Sequence, residues 1–534
     1  MRLLKLKTHS LILALATSSL LISPAQAADI NTEGAEYVRN MFQELLDTNA
    51  KTYGSNKAEG PIIEYRGDVI VEPAGSFYSV TLPKTVVSVE NDKGEKLEFH
   101  IGMITANVMP HDKPKQWKMT AAVPTPLTGY DSKGKASFKL NIGNQRTSGI
   151  WHEDLDNYVK LDSHYENITI DFENNPSAAS FGSIKAVYNL DENESGFWSG
   201  PMNIFLNNFN VAPPDKDGFL KIGQVAIKTD TDKMNLSSMK KLQVLINETA
   251  QRMEETPSYK PDVNEIIDIL LSLLNGFESN FELSNLHFQN GENDEMNAIL
   301  DMGLKSDDKN KKKNQKISFD KLYFGMSANG IQEDKLSLGY KVGYENLVSS
   351  ENDPTLKPIM ATDASLTLHS KNIPIKQLLT LYRNSSQDPN GLNPMMLMIK
   401  LPAILSTAAT RIETDINASN SNWGADLDGH AQADINAANS ATALVTLKLK
   451  NLQFVIDTLR TLISNETDPK KQAEHKSAVA NLQKISDLAI IENDASGAPI
   501  HSYKLEVTQT GEILLNGKPA MAAMQGIQIP TNLF

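Results

Sequence analysis

Phe281-Glu282-Leu283-Ser284-Asn285-Leu286-His287-Phe288 and, after a charged interval, Ile317-Ser318-Phe319-Asp320-Lys321-Leu322-Tyr323-Phe324 share one cadence, in which apolar residues recur at about every second position. Successive side chains of a strand point to opposite faces, so this alternation predicts strands with one apolar face. The likeness of the two segments is the expectation of repeated sheet-forming architecture; ordinary strand composition gives the same match.

The pattern extends in both directions. Upstream, residues 62–71, 78–89, 97–108 and 117–123 carry partial period-two patterns rich in β-branched residues, with Asn91-Asp92-Lys93-Gly94 and Asp131-Ser132-Lys133-Gly134 as turns. Residues 138–142, 165–172, 181–188, 202–211 and 219–229 continue it, and their short connections favour antiparallel neighbours over strand-helix-strand crossovers. Downstream, residues 296–304, 336–348, 364–368, 425–435 and 443–449 read the same way, as does 403–417, whose first part also fits a helix. The close is a strand at 501–507, a turn at Thr510-Gly511 and a second short strand.

Helical spacing interrupts this pattern in places. Residues 33–49 predict a short helix, and Met239, Leu242, Leu245, Ile246, Ala250 and Met253 place an apolar stripe on one side of 237–255. The dense apolar stretch 263–274 follows Pro257 and Pro261, and the pair reads as cover for a sheet, with a mobile lid or partner surface as the alternative. Further helical segments fall at 375–382, 452–464 and 476–488. The expected fold is therefore mixed but predominantly β, built of curved antiparallel sheets with packed helical insertions. Its parts are a signal peptide at 1–27, an N-terminal β-rich domain at 28–230, a helical insertion at 231–280 and a C-terminal mixed β/α domain at 281–534.

The signal-peptide reading rests on the basic start Arg2, Lys5 and Lys7, the apolar run Leu11 to Ile22, and Pro24-Ala25-Gln26-Ala27 as a cleavage site after Ala27. Twelve helical residues rise only about 18 Å against a hydrocarbon layer of roughly 30 Å, so the run is short for an anchor. With no Cys in the chain, there is no disulfide framework, thiol nucleophile or cysteine-linked lipid. The formal charge of -14 becomes -17 when the three basic residues of the leader are removed, which opposes nonspecific affinity for nucleic acid or an anionic membrane face. The basic run Lys309-Asn310-Lys311-Lys312-Lys313 lies beside Asp307 and Asp308 without aromatics and reads as a solvated turn.

Catalytic patterns are sparse. No Gly-X-Ser-X-Gly elbow is present, and Ser76, His100, His111 and Asp112 form no recognisable triad. His100, His111 and Asp112, like Trp151-His152-Glu153-Asp154 with His164, lack the His-Glu-X-X-His spacing that aims two imidazoles at one metal, so no metal or cofactor is assigned. Asp154, Asp156 and Asp162 near Trp151 and Tyr158 are one carbohydrate-facing candidate for two-carboxylate glycan hydrolysis, with an exposed acidic turn as the plainer reading. Gly429, Gly497, Gly511 and Gly517 sit among turn residues and form no phosphate-binding fingerprint.

The segment from Leu482 to Ile490, the strand Tyr503-Lys504-Leu505-Glu506-Val507 and the stretch Glu512-Ile513-Leu514-Leu515-Asn516-Gly517-Lys518-Pro519 resemble the YdgA-like family of largely uncharacterised bacterial envelope proteins. The resemblance covers about the last 160 residues and implies a terminal helix and β-hairpin and an envelope role, with no catalytic residues attached. The cleavage-like leader departs from the family's retained anchor. Together these readings predict a noncatalytic periplasmic scaffold or binding protein, peripherally associated with the envelope. Its expected partners are a lipid or other apolar or amphipathic envelope component and an envelope protein, not nucleic acid; an acid-base glycan hydrolase is the competing reading. The ligand contacts are placed at Met395, Met396, Leu397 and Met398, whose flexible thioethers adapt to irregular apolar surfaces, although such residues more often simply fill a core.

Overall fold

The computed structural model of the chain describes residues 30–54, 62–90, 96–155, 157–172, 175–193, 196–212, 218–256, 259, 262–289, 316–350, 357–386, 394–465, 469–495 and 497–523. The expected leader, the expected strand at 296–304 and the basic run at 309–313 lie outside the described residues. The fold is mixed and predominantly β. It divides into two compact units, residues 30–274 with 283–289 and residues 275–282 with 316–523.

In the first unit the helix α1 (Thr32–Gly54) places Ala35, Val38, Phe42 and Leu46 on one face by their spacing of three and four, and buries them against Tyr78, Val80, Val108 and Trp117. The strands that follow are short: β1 (Ile62–Arg66), β2 (Ile70–Ala74), β3 (Phe77–Thr81), β4 (Lys84–Glu90), β5 (Lys96–Gly102), β6 (Thr105–Pro110), β7 (Gln116–Ala122) and β8 (Leu127–Tyr130). Three segments that read as single strands are each split in two. Gly67 at φ 110° and Gly102 at φ 85° turn the chain in the first and third. In the second, Leu82 and Pro83 separate β3 from β4.

The halves enter different ladders. β1, β4, β5 and β8 pair in that order, and β2, β3, β6 and β7 form the other series. Both end on one strand, the 17-residue β9 (Ala136–His152). β8 pairs with its residues 136–140 and β7 with its residues 147–152. From β9 an antiparallel series of long strands continues through β10 (Asn157–Phe172), β11 (Asn175–Asn189), β13 (Trp198–Val211) and β14 (Phe219–Met234), with the two-residue β12 (Asp191–Glu192) beside β13.

α2 (Leu236–Glu255) starts at Asn235, whose side chain accepts the Ser238 N–H, and α3 (Val263–Leu273) starts at Asp262, which accepts from Asn264. Leu236 is buried with Val159, Leu190, Trp198 and Met234 at the base of α2. Farther along the pair, Ile246, Met253, Val263 and Leu270 are exposed, and α3 fully buries no side chain. The sequence expectation of cover for a sheet therefore fits only the base of this pair.

The strand β15 (Gly276–Gln289) is divided between the units at Glu282 and Leu283. The second unit continues with β16 (Lys316–Asn329), β17 (Leu336–Glu345), β18 (Val348–Ser349), β19 (Asp363–Ile373), β20 (Arg411–Ser419), β21 (Gly424–Ala433), β22 (Ala441–Lys450), β23 (Ile490–Asn493), β24 (Pro499–Val507), β25 (Ile513–Leu515) and β26 (Lys518–Pro519). An unbroken antiparallel series runs β16, β17, β19, β20, β21, β22, β24. Between β19 and β20 come α4 (Ile375–Ser386) and α5 (Pro394–Ala408), so the first part of 403–417 is helical and its strand begins at Arg411. Between β22 and β23 come α6 (Leu452–Asn465) and α7 (Pro469–Asp487).

Leu452, Ile456 and Leu462 are the buried side chains of α6, and Ile456 has no exposure. Replacing Ile456 by Ala is expected to cost about 2–5 kcal/mol, the transfer term plus the cavity left behind. Urea denaturation read together with hydrogen exchange across 452–487 checks this, and an unchanged midpoint would contradict the assigned packing.

Candidate functional site

In an antiparallel pair, directly opposed residues share a face, so registers can be chained across a sheet. In the second unit Phe324 lies opposite Val342, and the row continues through Leu366, Ile416, Leu427 and Leu447 to Tyr503. The next row runs from Met326 through Tyr340, Leu368, Thr414, Gly429 and Val445 to Leu505. Seven strands at roughly 4.8 Å spacing make this apolar face about 29 Å wide.

The opposite face is polar. There Lys341 is followed across the strands by Thr367, Asp415, Asp428, Thr446 and Lys504. Glu413 is paired with Lys371 at 2.7 Å and Arg411 at 2.9 Å, and Asn417 donates to Asp426. Hydrogen bonding from Lys371 holds the Glu413 carboxyl below its ordinary range.

The apolar face is uncovered over much of its area, with Met326 at 44 %, Leu368 at 39 %, Ile412 at 48 % and Ile416 at 41 % exposure. Contiguous apolar surface of this kind marks a binding site more often than it marks plain surface. One end is closed by α7, where the Tyr503 hydroxyl donates to the Ile485 carbonyl at 3.0 Å and His501 Nε2 lies 3.0 Å from Ser486 Oγ. Burial pushes the Tyr503 phenol up to about 12 and lowers the His501 imidazole.

The long strands of the first unit also present one largely apolar face. Leu161, Ser163 and Tyr165 oppose Tyr188, Ala186 and Ile184, which in turn oppose Met202, Ile204 and Leu206. Past Asn167, Ile168 and Ile170 take that side, opposite Phe181 and Ala179. The other face is mixed: Asp162, Lys185 and Lys228 share it with Val187, Phe205 and the fully buried Ala226, and Asp162 pairs there with Arg146 at 2.8 Å.

The apolar parity therefore changes within each long strand: odd before Asn167 in β10 and even after it, even before Asn208 in β13 and odd after it. That switch is readable in the sequence, and it is a signal that reading 165–172 and 202–211 simply as strands leaves unused.

Met395, Met396, Leu397 and Met398 form the start of α5; their side chains lie outside the described ones, while the following Ile399 is 69 % exposed. The exposed rows above come instead from strand residues that the sequence reading treated as scaffold. Of the carbohydrate-facing candidates, Asp162 sits in its ion pair on the mixed face, Trp151 packs edge-on against Tyr158 with centroids 5.1 Å apart, and Asp156 and the Asp154 side chain lie outside the described residues. Glu153, buried to 3 % exposure, accepts from Trp117 Nε1 and from the Tyr37 hydroxyl at 3.0 Å, which ties α1 to the sheet. His100 contacts Glu98 and Tyr130, and His152 stacks edge-on against Trp198. Among the described residues no group of three or more His, Asp or Glu is placed to hold a metal ion, and no helix is long and apolar enough to cross a membrane. Compared with known families and with characterised proteins, the chain matches none.

His501 supplies a pH prediction. Its imidazole is lowered in the folded chain, so the unfolded chain binds the proton more readily, and stability falls as pH drops below the ordinary 6.5. His501→Asn removes that titration. The expected result is a shallower loss of urea midpoint between pH 7.5 and 5 than in the unsubstituted protein, and parallel losses would show that His501 is not a source of the acid limb.

Proposed function

We propose that this protein is a noncatalytic periplasmic scaffold or binding protein that holds the hydrocarbon part of a lipid or other amphipathic envelope component against an apolar sheet face. The observation that carries the reading is the exposed row system centred on Leu368 and Ile416, apolar across seven strands and backed by a polar face. Hydrocarbon needs only apolar surface and freedom from water, which such a face supplies. The leader-like residues 1–27 and the YdgA-like terminal pattern support the envelope placement, with peripheral association and an envelope protein partner as parts of the same proposal. The competing reading, acid-base glycan hydrolysis, needs two carboxylates around one cleft, and Asp162, the candidate whose side chain is described, is instead ion-paired with Arg146.

Extraction of the protein from bacterial envelope material followed by mass spectrometry of co-purifying small molecules tests this directly. Leu368→Asn with Ile416→Asn is expected to lower lipid retention about tenfold or more, since each buried aliphatic side chain is worth about 1.5–3 kcal/mol. A second variant with polar substitutions at Met395, Met396, Leu397 and Met398 reports whether the start of α5 contributes. Circular dichroism verifies that each variant folds. Ligand-free recovery of every version, with no acyl-chain exchange in a direct assay, would remove lipid handling and leave the scaffold reading alone.

A further inference from the structure

Six long strands of the first unit carry a glycine or a left-handed asparagine at one common level. Asn167, Asn208 and Asn285 have φ of 52°, 52° and 54°. The pairs Glu166 with Asn144 and Ile168 with Ile142 bracket Asn167 and set Gly143 opposite it, and the β10–β11 register sets Gly182 on its other side. Asn208 stands in the same way between Gly182 and Gly223. A Cβ on Gly143 would lie 2.9 Å from Asn167 Cβ, one on Gly182 3.0 Å from Asn208 Cβ, and one on Gly223 2.9 Å from Asn285 Cβ. The asparagines occupy a conformation that costs most residues about 1–2 kcal/mol, and the glycines give the clearance that lets them do so.

We infer that the row Gly143, Asn167, Gly182, Asn208, Gly223, Asn285 is a bend line that turns these strands toward their apolar side together, making that face a trough for a hydrocarbon chain lying along the row. The registers pass through the row without a shift, and a residue at φ of 52° to 54° departs from extended geometry, so the chain direction changes there. Here the apolar alternation resets at the same level, from Leu206 to Phe209 across Asn207 and Asn208, so each asparagine adds one residue to the polar path. The longer path is the outer one, and all three asparagines are exposed on it. Inside the corner, Ile168 and Phe288 are only 3 % and 5 % exposed, whereas Ile227 farther along is at 38 %.

The occupant rests on the lipid-handling reading above. A row across six strands is about 24 Å long, against roughly 15 Å for the chains of one membrane leaflet. Interior strands already spend their backbone groups on both neighbours, so an extended peptide finds no ladder to join there, while hydrocarbon needs none.

The cysteine-free chain allows a direct test with pairs of introduced, spin-labelled cysteines in β9. Leu140→Cys with Thr147→Cys reports the apolar face across Gly143, where a straight strand gives about 23 Å between Cα atoms. Lys139→Cys with Ser148→Cys reports the polar face, about 30 Å apart if straight. A bend toward the apolar side is expected to shorten the first distance by about a third and the second by a smaller fraction, because the outer path opens. Both pairs at the straight-strand value, or the polar pair shortened more, would overturn the bend whatever the protein binds. Gly182→Val is expected to lengthen the apolar-face distance, and Asn208→Gly, which keeps the left-handed conformation accessible, is expected to leave it unchanged.

A spin-labelled long-chain fatty acid then tests the occupant. Broadening between it and a single label at position 147 supports a chain in the trough, and fatty acid bound elsewhere, or a bound peptide in its place, overturns it. A measured bend with no fatty-acid binding anywhere refutes the lipid reading and the occupant while the bend itself stands.

Discussion

Both units depend on one constraint: the cross-strand register must keep apolar residues opposite apolar residues over many strands in succession. A slip of one position in any ladder would exchange the two faces of that strand and put charge among hydrocarbon. In the second unit the constraint is met from β16 to β24, where Phe324, Leu366 and Ile416 fall in one row and Lys341, Thr367 and Asp415 in another on the reverse side. The side with the ion pairs is tolerant of water. The other side is stable only to the extent that something apolar, or the protein's own helices, stands over it.

Much of the β content was legible because alternation is a local property. The segments 181–188 and 202–211 lie within the strands Asn175–Asn189 and Trp198–Val211, and the helix expected at 452–464 is Leu452–Asn465. The strands were read too short where polar residues such as Asn144, Arg146 and Ser148 face solvent over a long arm, since a two-sided strand that lacks large side chains on its apolar positions loses its contrast. The opposite error occurred at 62–71, 78–89 and 97–108, where alternation continued across a glycine or proline that turns the chain into a different ladder.

The site was less legible than the fold for a physical reason. An exposed apolar face has the same composition as a covered one, and only the three-dimensional arrangement shows which strands lack a covering layer. The methionine segment drew attention by its composition, while Leu368, Ile412 and Ile416 looked like ordinary core-facing strand residues. What the sequence did contain was the change of parity at Asn167 and Asn208, which becomes meaningful once the registers align those residues across neighbouring strands.

The sharing of β9 by two ladders bears on how the first unit forms. Residues 62–130 alternate between the ladders, so neither series acquires its last neighbour until β9 has been made, and β9 then closes both at once along a single edge. Such long-separation pairings place the loop-closure entropy early and the gain late. The N-terminal strands can pair among themselves, as β2 does with β3, β4 with β5 and β6 with β7, but the two series are joined to one another only through β9, which makes the stretch ending at His152 the common seam of some ninety residues.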